Sequence, residues 1–434
     1  MKISLFQGIL IGVFVFGAII GLFVFSTYTG SVGDNEKIGP VVMWGVLPET
    51  DMQAVLASAT KNDATFKNVS YIQKNPTTLA VELATAIATG SMPDLVLSSQ
   101  ENLHSLAKFI TPISFNTLSP KTFTTTFIDG AGVFAAPGGY YGIPFLVDPL
   151  VLFSNRSILA NNGIAKPPAT LEALTGLVPR VATLTPSRQV TRGLIALGSY
   201  ANVKNARGIL SSLFLQTGVP ISSYSTNGVL AANLGVTATS GTPPGQAVLS
   251  FYTQFADPSK VSYTWNASLP NSERVFLAGD LALYLGYVSE ERYLRSANPN
   301  LNFTVTALPQ PATATIKKAY GLIYAFMVPR GAKNESGAYQ IAALFSNSAE
   351  QSLSASLTGL APVNLNVLGG VAPIDPIAVV AYDEALYTYG WLSPAPTDTD
   401  AIFSGMINNV ISGRLTLEVA LSSAESALNA LLQQ

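Results

Sequence analysis

Apolar and polar positions along the chain fall into blocks that read alternately as strand and helix. Val41-Val42-Met43-Trp44-Gly45 is a short apolar strand ending in an aromatic and a glycine. A helix is expected over Thr50 to Ala59, and Val69-Ser70-Tyr71-Ile72 alternates as a second strand. In the next block Pro76 fits a helix start, Leu79, Leu83, Ala86 and Ile87 recur at i, i+4, i+7 and i+8, and Gly90 fits the cap. Leu95-Val96-Leu97 then predicts a strand that stops at Ser98-Ser99-Gln100. Strand–helix–strand order implies a parallel sheet, and ligands of such sheets sit beyond the carboxyl ends of the strands. Trp44, Ser98 and Ser99 are therefore candidate ligand contacts. Each has a plainer reading as well: Trp44 as a half-buried strand-end aromatic, and the two serines as caps of a helix over Asn102–Lys108.

The middle of the chain is dominated by Gly139-Tyr140-Tyr141-Gly142-Ile143-Pro144-Phe145-Leu146-Val147-Asp148-Pro149-Leu150-Val151-Leu152-Phe153-Ser154-Asn155-Arg156. Phe145 to Phe153 reads as a buried strand with one charge, Asp148, and a carboxylate there needs a partner or a wet cleft. Asp148 is either a turn carboxylate satisfied by backbone N–H groups or an acceptor of ligand hydroxyls. Lys166-Pro167-Pro168-Ala169-Thr170-Leu171-Glu172 opens a helix with an acidic first turn. Gly208 to Gly218 reads as helix, Asn227 to Gly245 as loop, and Gln246 to Phe255 as helix. A helix ending near Phe276 turns at Gly279-Asp280 into a strand in which Leu281, Leu283 and Leu285 share one face. Trp265 precedes this unit, and Tyr287 ends it. Gly321 to Pro329 reads as strand, Gly337 to Ala349 and Tyr382 to Tyr389 as helices, and Trp391-Leu392-Ser393-Pro394-Ala395-Pro396 as an extended loop. A Trp in such a loop is either packed on a helix or a ligand platform. In the last helix Leu417, Leu421, Ala424, Leu428 and Leu431 form an apolar stripe behind a Thr416 cap.

Several of these segments, in this order, resemble the extracellular solute-binding proteins of ABC importers, in particular the carbohydrate-binding, maltodextrin-binding-like family. Tyr141-Gly142-Ile143-Pro144, Asp148 and Ser154-Asn155-Arg156 match its "Y-G-I-P, spacer, D, apolar strand, Y/S-N-K/R" crossing. Ala86 to Val96 matches "A-I-A-x-G-x-x-P-D-L-V". Phe276, Gly279, Ala282 and Gly286 match "F-x-x-G-K-A-A-M-x-x-x-G-x-W", with Asp280 for the usual Lys, Leu283 for Met, and Tyr287 near the aromatic position. Thr358-Gly359 to Val363 and Gly413 to Leu421 match two further motifs, so the resemblance runs from about residue 40 to the end. It implies a type II periplasmic-binding-protein-like α/β fold of two lobes joined by crossover strands around a central cleft. The implied lobes are 40–147 with 310–360, and 148–309 with 361–434. The ligand-binding residues it implies are Ser98, Ser99, Asp148, Trp265 and Tyr287, to which Trp44 as a strand-end aromatic and Trp391 as a loop aromatic are added from the readings above. The implied partners are a small solute, a sugar or oligosaccharide, and the permease subunits of an ABC transporter. A sensor ectodomain or a non-transport scaffold of the same fold is the alternative.

Composition narrows the chemistry. The chain has 434 residues, 11% charged, with a net charge of −2, no cysteine and one histidine, His104. There is no basic footprint for nucleic acid. Without cysteine there is no disulfide, thiolate chemistry or lipidated-cysteine anchor, and no His-rich metal site is available. No G-x-S-x-G elbow is present and His104 has no partner base near it in sequence. The reading is therefore a binding protein without catalysis, cofactor or metal.

Gly8 to Phe25 is an unbroken run of apolar residues and glycine, and no charge lies between Lys2 and Asp34. Eighteen helical residues span about 27 Å, close to a bilayer's hydrocarbon core. A cleaved signal has a shorter apolar run and a small-x-small site, so an uncleaved anchor over 1–29 is expected, with a tether over 30–39. Lys2 should stay inside, which places the body on the extracytoplasmic face of the cell membrane.

Overall fold

In the computed structural model, residues 38–225, 227–235 and 241–433 are described. The expected membrane anchor and most of the tether lie outside them. From Pro40 onward the chain forms one compact unit. Among the described residues no helix is long and apolar enough to cross a membrane.

The body is built on one mixed sheet. Its strands are β1 (Val41–Gly45), β2 (Val69–Gln73), β3 (Leu95–Ser99), β4 (Ile143–Asn155), β5 (Val190–Ile195), β6 (Leu281–Tyr287), β7 (Phe303–Thr306) and β8 (Ala319–Met327). The order across the sheet is β2-β1-β3-β8-β4-β6-β5, with short Thr183–Leu184 at the edge and β7 also paired to β4. β2 and β3 run parallel to β1, and β5 runs parallel to β6. β8 and β4 cross between these two parallel groups and are antiparallel to their neighbours.

β4 joins the two halves of the sheet. All thirteen of its residues are buried, which explains why its sequence is nearly continuous apolar rather than alternating. Ile143 to Pro149 pair with β8, whereas Leu150 to Ser154 pair with β6. Pro149 lies at the change of partner. It has no N–H to give to a ladder, so a proline suits the point where one pairing ends and the next begins. Opposite it, Gly321 allows β8 to come close. A Cβ there would lie 2.5 Å from Thr388 Cγ2, 2.8 Å from the Asp148 carbonyl oxygen and 3.0 Å from Pro149 Cα.

The helices form where sequence pattern and capping agree. α1 (Glu49–Asn62) follows β1, and α2 (Leu79–Thr89) ends at Gly90 with φ +70°. α3 (Leu171–Val181) is capped by the Thr170 hydroxyl, which accepts from Ala173 N–H at 3.3 Å. α4 (Ala206–Gln216) and α5 (Glu290–Ala297) lie in the half that β5 and β6 organise. The helix expected over 337–349 is two helices, α6 (Glu335–Ser346) and α7 (Ser348–Thr358), because Asn347 adopts an extended backbone and caps the second. The helix expected over 382–389 instead runs earlier, as α8 (Pro376–Ala385). Asp375 caps it, accepting from Ile377 N–H, and Thr388-Tyr389 turns into a short strand beside β8. The Pro-rich loop at Trp391 leads into α9 (Pro396–Ile411), which the sequence pattern had not suggested. α10 (Leu417–Leu432) has the expected Thr416 cap and buries Leu421, Ala424 and Leu428; Leu417 and Leu431 are only partly covered.

Candidate functional site

The turn after β1 and the turn after β6 face a common space. β1 ends at Gly45 and leads through Val46-Leu47-Pro48 into α1; β6 ends at Tyr287 and leads through Val288-Ser289 into α5. Between them is a cavity of about 530 Å³, walled by Leu47, Thr50 and Asp51 on one side and by Ser289, Arg292, Tyr293 and Ser296 on the other. Its floor is Asp148 of β4 and Tyr324 of β8, and Thr358 and Leu360 complete the wall. The volume lies within the range of small-molecule sites, and the wall mixes apolar surface with a few convergent polar groups.

Asp148 sits where two elements meet. Its side chain is 3% exposed, and Oδ1 accepts from the Ser289 N–H at 3.0 Å. Burial pushes the carboxyl up to about 7; hydrogen bonds from Ser289 and the Val288 N–H oppose this, and the Glu290 charge adds to it. The Asp148 side chain is thus satisfied by backbone N–H groups, and it also lines the cavity. Glu290 is itself partly buried and held above the usual carboxylate range. It accepts from the Tyr284 hydroxyl, from Asn205 Nδ2 at 2.6 Å and from the Tyr287 N–H at 3.2 Å.

Two ion pairs tie the halves together. At the cavity wall, Arg292 Nη2 lies 2.8 Å from Asp51 Oδ2 and Nη1 lies 3.4 Å from Oδ1, and the same guanidinium donates to the Thr358 carbonyl. The second pair is buried. Arg207, in the first turn of α4, donates to both oxygens of Glu101, at 3.0 and 2.8 Å, and also to Asp400 of α9. Glu101 follows β3, and its Oε1 accepts the Tyr320 hydroxyl at 2.5 Å. Such two-toothed guanidinium–carboxylate pairs fix geometry as well as adding energy.

The residues singled out from sequence fall into three groups. Asp148 lines the cavity. Tyr287 does not line it: its ring reaches toward Gly208, where a Cβ would be 2.5 Å from the hydroxyl, and burial with the Glu101 charge keeps the phenol protonated. Ser99 ends β3 beside this cluster, while Ser98 is fully buried and accepts from Asn102 Nδ2 at 3.1 Å. The three tryptophans are elsewhere. Trp44 lies under Lys74, whose Nζ is 3.9 Å from the ring centroid. Trp265 is wholly buried and donates to Asn202 Oδ1 at 3.2 Å. Trp391 packs on Phe403 of α9 and donates to Ser211 Oγ at 2.9 Å, so of its two readings the helix-packed one describes it. Sequence reasoning missed Arg292, Asp51, Tyr293, Glu101 and Arg207. Glu101 was one residue beyond a strand end already marked; the others sit on helix surfaces with no local signature. Among the described residues, no three His, Asp or Glu side chains cluster as metal ligands.

A sequence-family model described as bacterial extracellular solute-binding protein matches residues 54–377. No curated protein matches the chain. Among solved structures, the chain is similar to the cyclic alpha-maltosyl-1,6-maltose binding protein of Arthrobacter globiformis, with 18% identity and a TM-score of 0.73 over 91% of this chain and 100% of that one. It is also similar to an ABC substrate-binding protein of Listeria monocytogenes in complex with cycloalternan, with 15% identity and a TM-score of 0.67 over 91% and 99%. The maltose/maltodextrin-binding domain of Bdellovibrio bacteriovorus bound to maltotriose gives 15% identity and a TM-score of 0.63 over 91% and 100%. At these identities the likeness shows the fold, an α/β solute-binding fold matching periplasmic binding proteins.

Proposed function

The chain belongs to the bacterial extracellular solute-binding protein family, and from that premise we propose that it captures a small carbohydrate in the cavity over Asp148 and delivers it to an ABC importer. Capture works by hinge closure of two lobes, 40–147 with 310–360 and 148–309 with 361–434, about the crossing strands. The observation that carries this reading is the cavity itself. About 530 Å³ of space lies where the turns after β1 and β6 converge, with a buried carboxylate, two tyrosines and several hydroxyls on its wall. Carboxylates and hydroxyls suit sugar hydroxyls, and tyrosine offers an aromatic face plus a polar tip. Arg292–Asp51 and Arg207–Glu101 join the halves and suit a closed arrangement that opens to admit ligand.

The reading needs no chemical step, so the protein acts as a binder and not as an enzyme. Micromolar affinity corresponds to about −8 kcal/mol, within reach of a few charge-assisted bonds and aromatic contacts. The N-terminal apolar run would hold the body at the extracytoplasmic face of the cell membrane, next to the permease subunits. Asp148 is proposed as a ligand-facing residue, joined by Tyr293, Tyr324 and Ser289.

A thermal-shift screen of the full chain against mono-, di- and oligosaccharides tests the proposal. A ligand at 100 times its Kd stabilises by about 2.7 kcal/mol, a readable shift. A shift that Tyr293→Ala and Asp148→Ala weaken supports the site. A panel with no shift for any sugar overturns the carbohydrate reading.

A further inference from the structure

The charges around Asp148 do not balance. The carboxylate is buried, and its partners are the N–H groups of Val288 and Ser289 and the Ser289 side chain. None of the ion pairs among the described residues includes it. Other groups face it from each element packed around it. Glu290 on α5 adds a second negative charge beside it. Tyr287 at the end of β6 and Tyr324 on β8 are neutral phenols whose ionisation Asp148 itself opposes. Arg292 is the cation on the cavity wall among the described residues, and its guanidinium is committed to Asp51 and the Thr358 carbonyl. Arg207, behind Tyr287, is committed to Glu101 and Asp400. The cavity thus presents an acidic floor with its nearby cations already paired.

A buried carboxylate without a cation is costly, and a partner that enters with the ligand removes that cost. We propose that the cavity takes an amino sugar, whose protonated amine pairs with Asp148 while its hydroxyls meet Ser289, Thr50 and the tyrosines. This rests on the carbohydrate reading above and narrows it to a charged class. The elevated protonation range of Asp148 is consistent, because a carboxyl waiting for a cation holds its proton more tightly than one already paired.

Matched sugars test the inference on the full chain: glucosamine and its β-1,4 dimer, their N-acetylated forms, and glucose and cellobiose, with the galactose-configured set alongside. Calorimetry near neutral pH should give the amino forms roughly tenfold or more tighter binding than their N-acetylated and parent partners, the size of one charge-assisted bond gained. In Asp148→Asn, an isostere that can still accept from Ser289 N–H, that preference should vanish, with the amino, N-acetylated and parent forms binding alike even where all bind more weakly. Preference for the amino forms that survives in Asp148→Asn, or equal binding of all three forms by the unmodified chain, overturns the amino-sugar inference and leaves the carbohydrate reading standing. Binding by no sugar of any form overturns both.

Discussion

Arg292 and Asp51 meet across the cavity from opposite halves of the sheet, one on the helix after β6 and the other on the helix after β1, with a guanidinium nitrogen 2.8 Å from a carboxylate oxygen. The pair bridges elements far apart in sequence, so it forms only when the two turns are brought together. The Arg292 side chain is 52% exposed, so solvent screens the attraction. Exposed pairs contribute about 0.2–1 kcal/mol. Arg292→Ala should therefore change global stability by less than about 1 kcal/mol but loosen the closed arrangement. Small-angle scattering of Arg292→Ala should show a larger radius of gyration, and Asp51→Ala should show the same increase. If the double variant expands by the sum of the two single changes, the residues act independently and the bridge has no closing role.

The deeper bridge differs because it is buried. The Arg207 and Glu101 side chains are 18% and 8% exposed. Removing one partner leaves the other charge buried and unpaired, a loss of about 3–5 kcal/mol. Arg207→Ala should lower stability by that order in urea unfolding. The paired replacement Arg207→Met with Glu101→Gln should recover most of it, since the one carboxylate then left without its cation, Asp400, is 45% exposed and can be solvated. A single-variant loss below about 1 kcal/mol would show the pair to be effectively solvated.

Two carboxyls give stability a definite pH dependence. Burial raises Asp148 and Glu384 to about 7, from ordinary values of 3.8 and 4.5. For each, the native state keeps its proton where the unfolded chain has lost it. The native state therefore binds more protons between about pH 4 and about pH 7, and stability falls as pH rises through that window. Their stabilising contribution is complete below about pH 4 and lost above about pH 7. Glu82 and Asp257, held below the ordinary range by hydrogen bonds, work in the opposite sense at the acid end. Melting temperature should thus rise on going from about pH 8 to about pH 5, and Asp148→Asn and Glu384→Gln should each flatten the rise. A melting temperature that falls over that interval, with the two variants unchanged, would contradict the assignment.

The tryptophans separate core from site. Trp391→Ala removes a buried ring stacked on Phe403 and leaves the Ser211 hydroxyl without its donor. Large aromatic truncations of this kind cost about 3–5 kcal/mol. Trp391→Phe should keep most of the packing and cost less. In either variant, affinity per folded molecule for any sugar the protein binds should stay within about a factor of three, a free-energy change below 1 kcal/mol. A larger loss of affinity from Trp391→Phe would put the ring back in the binding site.

Much of the frame was readable because local signals agreed. The apolar run through Phe145–Phe153, the Gly279 turn into Leu281–Leu285 and the Thr416 cap each combine pattern with a turn or capping residue, and each appears where expected. The site was less readable for a physical reason. A lone charge in an apolar strand marks a place that needs a partner or a cleft, as at Asp148, but the opposite wall of the cavity comes from helix surfaces such as Asp51, Arg292 and Tyr293. On those surfaces exposed polar residues are ordinary, and only the crossing of β4 and β8 makes them neighbours. A strand-end or loop aromatic looks the same in sequence whether it faces a cleft or an adjacent helix; in the fold Trp265 and Trp391 are buried and Trp44 is partly covered beneath Lys74. α9 went unread because its polar first turn, Pro396-Thr397-Asp398, resembles the loop before it.

The crossing can be tested at Gly321. A methyl group there would meet the Asp148 carbonyl oxygen at 2.8 Å and Pro149 Cα at 3.0 Å, and these are backbone atoms of a fully buried strand. Rotamer changes cannot relieve such contacts. β8 must move away from β4, or the Asp148–Pro149 peptide must shift. Overpacking of this kind costs about 1–3 kcal/mol. Because the displaced backbone carries Asp148, Gly321→Ala should also weaken any sugar that contacts that carboxylate, although residue 321 itself does not line the cavity. Calorimetry of Gly321→Ala below its melting transition should therefore show reduced affinity together with a lower melting temperature. Unchanged affinity with a lowered melting temperature would mean that the strain is absorbed on the Thr388 side, where Cγ2 is the nearest atom at 2.5 Å, and that the position of Asp148 does not depend on the close approach of the two strands.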